Sequence, residues 1–229
     1  MSETAAAARP GPRRTRSEAE LVDAARTLVA RSGPAALSIR AVAAEVGVTA
    51  NAVYTYFPTK AALEAAVVES VLAEADLGAL EEPGLDWRER LLRVGLALRE
   101  TLVRHRGAVP LLLASPFTGP TSLDLGERTL RVLVDGGFAP GVAARASYAL
   151  ITSVLGNLAA YAAEVPPGDD VPEEDALAAE RLAALQRIPA AAFPLTAATA
   201  AVTARFNGEE QYRWGVELLL DGLAAQLPR

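Results

Sequence analysis

The chain contains no cysteine, a single histidine and a single lysine, and only 5% of its 229 residues are aromatic. Without cysteine there is no disulfide framework, no thiolate metal site and no cysteine nucleophile, although the redox compartment stays open. One histidine, with no cluster of carboxylates in an apolar setting, gives little from which to build a nucleophile–base pair or a metal centre, so neither an enzyme nor a cofactor is expected. Few aromatics beside a hydrophobic content of 51% mean that the apolar mass is Ala, Leu and Val, which favours helix over strand. The expected class is all-α. No apolar run follows the N-terminal basic residues as it would in a secretory signal, and the longest uncharged stretch, 147–163, is broken by polar residues and short for a bilayer. A cytoplasmic protein with no membrane partner is expected.

The net charge of −6 conceals an asymmetry. Residues 1–60 hold eight Lys/Arg against five acids, a net +3, and the remainder holds 14 against 23, a net −9. Only the N-terminal end suits a polyanion. Arg9, Arg13, Arg14 and Arg16 precede the first helix signal as a basic arm, read either as a minor-groove contact or as a solubilising tail.

Ser17 followed by Glu20 is a capping-box start, and Leu21, Ala24, Ala25, Leu28 and Val29 then recur at helical spacing until Gly33-Pro34. Ser38 caps a second helix through Val46, and Gly47 lets the chain reverse. Thr49 caps a third helix to about Phe57, and Thr59 a fourth from Lys60 to about Leu77. A tight glycine turn between two short helices is the helix-turn-helix plan. Beyond it the pattern predicts helices over about 86–104, 121–136, 141–163, 176–187, 194–206 and 209–227. A Pro-interrupted segment lies at 107–120 and an acidic loop at 164–175. The second half of 141–163 is apolar on every side, so it must be covered on both. The expected organisation is an arm (1–16), a small three-helix helix-turn-helix domain (17–62) and a larger helical bundle (63–229).

The third helix carries Thr49 and Asn51 beside Ala50 and Ala52, short side chains that let its backbone approach base edges in a major groove of double-stranded DNA. Val53 and Phe57, four apart, face the core and leave Ala50, Asn51, Tyr54 and Thr55 outward. Tyr54, Tyr56 and Lys60 are placed to donate to phosphates. Residues 47–60, GVTANAVYTYFPTK, resemble the recognition-helix signature of the tetracycline-repressor family. The similarity extends through ALSIRAVAAEVGV (36–48) and KAALEAAV (60–67). It implies a ligand-responsive transcriptional repressor acting as a homodimer, with Ser38 and Arg40 on the second helix joining Thr49, Ala50, Asn51, Tyr54, Thr55, Tyr56 and Lys60 at the DNA.

Three further segments continue the resemblance, at 102–115, 134–140 and 208–227, the last being similar to a family helix that lies in a four-helix dimer interface. It places Trp214 there, and the apolar excess of 141–163 and 209–227 adds Tyr148, Leu155, Leu219 and Leu223. In tetracycline-binding members two histidines hold the metal–drug complex. The corresponding regions here, 73–76 and 109–113, contain none, so neither tetracycline nor a metal is expected. Polar groups in apolar helices, Asn157, Thr152, Tyr161 and Ser115, are the candidate contacts for a small apolar or aromatic effector. His105, at the end of the fifth helix, is open both to helix capping and to ligand contact. A DNA-binding regulator without an effector and an interaction domain with a vestigial helix-turn-helix remain alternatives.

Overall fold

The computed structural model describes residues 16–168 and 170–227, so Arg9, Arg13 and Arg14 of the arm lie outside the described residues. These residues form α-helices and short 3-10 turns, with no strand among them. The N-terminal unit comprises α1 (Glu18–Ser32), α2 (Ile39–Val46), α3 (Ala50–Tyr54) and the start of α4 (Lys60–Leu72). The capping box on α1 is formed from both sides, with the Ser17 hydroxyl accepting from the Glu20 amide and the Glu20 carboxylate from the Ser17 amide. Ser38 Oγ accepts the Ala41 amide at 3.1 Å, and Thr59 Oγ1 the Ala62 amide at 3.0 Å. Gly47 closes α2 in the left-handed region (φ 71°, ψ 36°), where a residue with a Cβ is strained by about 1–2 kcal/mol.

Three local expectations are corrected. Thr49 precedes α3 without a side-chain cap bond. α3 ends at Tyr54, because the amides of Tyr56 and Phe57 both turn to the Val53 carbonyl and tighten the chain ahead of Pro58. α4 stops at Leu72 instead of reaching Leu77, since Glu74 and Ala75 switch to tight bonds on the Val71 and Leu72 carbonyls and Asp76 Oδ1 accepts the Gly78 amide. The core of the unit is as the spacing requires. Leu21, Ala25, Leu37, Val42, Val53, Phe57 and Leu63 are all buried, the Leu, Val and Phe side chains contributing about 1.5–3 kcal/mol each.

The larger unit contains α5 (Trp87–Arg104), α6 (Val109–Ala114), α7 (Pro120–Asp135), α8 (Pro140–Glu164), α9 (Glu174–Leu185), α10 (Pro194–Thr203) and α11 (Glu209–Ala224). α7, α8 and α10 each open on a proline, whose fixed φ and missing amide suit the first helical position. α5 and α8 pack together, with α7 and α11 against both. Arg181, on α9, ties that helix to the end of α8 through Glu164 at 2.5 and 2.7 Å, and Asn207 donates to the same carboxylate at 2.8 Å.

The units dock through the turn at 105–108. A Cβ on Gly107 would sit 2.4 Å from the Val29 carbonyl oxygen of α1, so the two backbones meet directly and only glycine fits. Its neighbour Arg106, buried, donates to the carbonyls of Pro166, Gly168 and Asp170 and holds the loop after α8.

α8 is covered by its own chain on one side only. By length and composition it could cross a membrane, yet one face packs on α5, α6, α7 and α11. The other face, Ala144, Tyr148, Thr152, Gly156 and Ala160, is exposed. On α11, Trp214 and Leu218 are likewise exposed, at 56% and 51%.

Candidate nucleic-acid interface and ligand cavity

The nucleic-acid face is built on α2, α3 and the first turn of α4. Arg40, Thr49, Asn51, Tyr54, Thr55, Tyr56 and Lys60 are all exposed, Ser38 beside them caps α2, and Ala50 is half-buried. Burial of Val53 and Phe57 fixes which way α3 is turned. Thr55 Oγ1 donates to the Asn51 carbonyl at 3.1 Å, so it offers lone pairs and a methyl outward and no proton. Tyr56, expected to donate to phosphate, instead donates to the Arg16 carbonyl at 3.0 Å. Arg16 Nε reaches the Val46 carbonyl at 3.3 Å, and the two contacts strap the entry to α1 across the motif. Lys60 Nζ is 3.2 Å from Glu64, an exposed pair worth a few tenths of a kcal/mol that a phosphate can replace.

A cavity of about 930 Å³ opens among α5, α6, α7, α8 and α11. Phe117, Leu125, Leu130, Ile151 and Val216 supply much of its apolar wall. Of the expected ligand contacts, Ser115 and Thr152 line it and three residues do not. Asn157 accepts from Arg99 Nε at 3.3 Å, Tyr161 is buried in packing, and His105 lies at the junction of the units. His105 there caps α5 and meets Glu74 Oε2 at 2.7 Å, and Glu74 also pairs with Arg26 of α1. Burial opposes ionisation of Glu74, but the bonds from His105 and Arg26 outweigh it and hold the carboxyl below its ordinary value.

Two residues expected at a dimer interface, Tyr148 and Leu155, also line the cavity. Leu155 is buried within its own chain, whereas Tyr148 is 71% exposed. Leu219 and Leu223 are half-buried, Leu223 against the chain's own core, so Trp214 and Leu218 form the outward stripe of α11. The α7 wall was missed. Ser122, Gly126 and Thr129 recur at spacings of four and three, a row of small residues on one helix face that leaves room beside it, and that spacing is the signal that could have found them. No such signal marks Tyr212, which reaches the wall from α11 and donates to the Gly95 carbonyl at 2.9 Å.

One carboxylate joins the cavity to the DNA-side helix. Glu69 of α4 caps the start of α7, accepting the amides of Thr121 at 2.6 Å and Ser122 at 3.3 Å and the Ser122 hydroxyl. Ser122 is itself cavity wall.

Comparison with known proteins places both units. Residues 21–67 match the model described as bacterial regulatory proteins, tetR family, and residues 80–227 the model for the tetracyclin repressor-like C-terminal domain. The class A tetracycline repressor of Escherichia coli transposon 1721 is 26% identical over 208 residues, 89% of this chain and 88% of that protein. Among solved structures, a possible TetR family transcriptional regulator of Streptomyces coelicolor is 31% identical, with 90% and 98% of the two chains covered and a TM-score of 0.72. The Streptomyces coelicolor TetR family protein ActR, in complex with actinorhodin, is 25% identical over 93% and 98% of the chains, with a TM-score of 0.74.

Proposed function

The chain belongs to the TetR family of bacterial regulatory proteins and is a DNA-binding transcriptional regulator, not an enzyme, and on that premise we propose that it is a homodimeric repressor released from a palindromic operator by a small apolar or aromatic effector. The observation that carries this reading is the Glu69 link between a cavity of ligand size and the helix that starts at the DNA-facing Lys60. Relatives crystallised with small molecules, ActR with actinorhodin among them, support the cavity as the effector site. The protein then acts in the cytoplasm, where its operator is.

The open faces of α8 and α11 support the dimer. Each is apolar and unmatched within one chain, and a second copy seated there covers Tyr148, Trp214 and Leu218 and closes the mouth of the cavity beside Tyr148 and Thr152. Two recognition helices related by a two-fold axis read inverted half-sites.

The switch follows from differential affinity. An occupant that moves Ser122 and the start of α7 displaces the cap on Glu69, tilts α4 and changes the spacing of the recognition helices. A ligand bound equally to both arrangements shifts nothing. Selection of genomic DNA fragments on the purified protein tests the first half, and inverted repeats are expected. Measuring effector affinity with and without that operator tests the second. An inducer binds the operator complex more weakly, by the factor with which it weakens operator binding, and equal affinities would end the model.

A further inference from the structure

We infer that the cavity selects uncharged apolar molecules and rejects anions. The inference rests on the reading of this cavity as the effector site and concerns only what that site accepts. Among the described residues no Lys, Arg or His lines the cavity, and the one charged residue that does is Glu127. Three nearby cations are committed elsewhere. Arg128 turns to the Leu77 carbonyl at 3.1 Å and to Glu81 at 3.2 Å, Arg131 pairs with Glu127 at 3.4 Å, and Arg99 donates to the Asn207 carbonyl at 2.7 Å. A carboxylate, sulfonate or phosphate entering this space leaves water without gaining a counter-charge from the wall.

The lining hydroxyls are mixed. Ser122 Oγ donates to Glu69, Thr152 Oγ1 to the Tyr148 carbonyl at 2.9 Å, and Tyr212 Oη to the Gly95 carbonyl at 2.9 Å. Their protons are committed, so each presents only lone pairs to an occupant. Burial pushes the Tyr212 phenol far above its ordinary value, which keeps it neutral. Ser115 accepts the Phe117 amide at 3.1 Å and keeps its proton, and Thr129, Ser147 and Tyr148 also bring hydroxyls to the wall, so the lining offers donors as well as acceptors.

The test uses two probes of one skeleton, uncharged N-phenylnaphthylamine and its sulfonated counterpart anilinonaphthalene sulfonate, titrated by fluorescence into the full-length protein. Gly126→Phe serves as a cavity-filling control. A Cβ on Gly126 meets nothing within 4 Å and the change removes a glycine from mid-helix, so the variant is expected to fold, which its thermal unfolding checks. The neutral probe is expected to bind at least about tenfold more tightly than the sulfonate, and Gly126→Phe to abolish that binding. Glu127→Lys, at an exposed position, is expected to narrow the gap. Sulfonate binding as tight as that of the neutral probe, and equally sensitive to Gly126→Phe, would overturn the selectivity while leaving the effector site standing. Binding of neither probe, or binding indifferent to Gly126→Phe, would overturn the effector-site reading with it.

Discussion

The Glu69 carboxylate accepts the Thr121 amide at 2.6 Å, so a residue of the helix that begins at the DNA face caps the first turn of a helix that walls the cavity. The same carboxylate takes the Ser122 amide and hydroxyl, and a Cβ on Gly119 would clash with it. Glu69→Ala is expected to cost about 1 kcal/mol of stability, the usual worth of a lost helix cap. It should also weaken the dependence of operator binding on effector while leaving basal operator affinity within a few-fold. Thermal unfolding and operator titration with and without effector check both. Glu69→Gln, which keeps an acceptor, should restore part of each.

At the DNA face, Lys60→Ala is expected to weaken binding to all sequences alike and to lower the salt dependence by about one unit of slope, the signature of one lost phosphate contact. Asn51→Ala should change preference at a particular base pair, at about 1–3 kcal/mol between cognate and altered sites. Binding titrations over a series of salt concentrations and half-site variants separate the two, and a uniform loss from Asn51→Ala would remove it from base readout.

Leu218→Arg is expected to convert the protein to monomers, because Leu218 lies half-exposed on the outward stripe of α11 and a buried guanidinium without a partner breaks an apolar interface. Sedimentation velocity checks this, and an undisturbed dimer would place the interface elsewhere. Leu223 is a poorer probe, since it packs against its own chain and its replacement would disturb the fold as well.

Stability is expected to fall on acidification below the ordinary carboxylate range. The carboxyl of Glu164 is lowered from 4.5, first by the bonds from Arg181, with burial opposing and Asn207 adding to the shift. Glu74 is also lowered, with His105 and Arg26 overcoming burial. For such groups the unfolded chain binds more protons than the folded one, so their contribution is full above the unfolded value and is lost as pH falls through the folded value. The thermal midpoint should therefore drop progressively below about pH 5. Glu164→Gln should flatten that drop while lowering the midpoint at neutral pH, because it removes the charge that Arg181 faces at 2.5 and 2.7 Å.

The sequence by itself determined the all-helical class, the helix-turn-helix and the outward face of its third helix. Those features depend on contacts a few residues apart: the Ser17–Glu20 box, the Gly47 turn, and the spacing of Val53 and Phe57. Local chemistry was enough for each of them. Helix ends were less legible. The stop of α4 at Leu72 turns on a change of bonding partner at Glu74 and Ala75 and on one side-chain bond from Asp76, which leave no trace in periodicity. The cavity was decided by tertiary structure alone. Asn157 and Tyr161 looked like ligand contacts because they are polar in an apolar helix. Which polar groups face a void depends on how α7 and α11 pack on α8, and that packing turned Asn157 to Arg99 and brought Ser122 and Tyr212 to the wall. The same packing covers one face of an all-apolar α8 and leaves the other open, because a single bundle has helices enough for one side only.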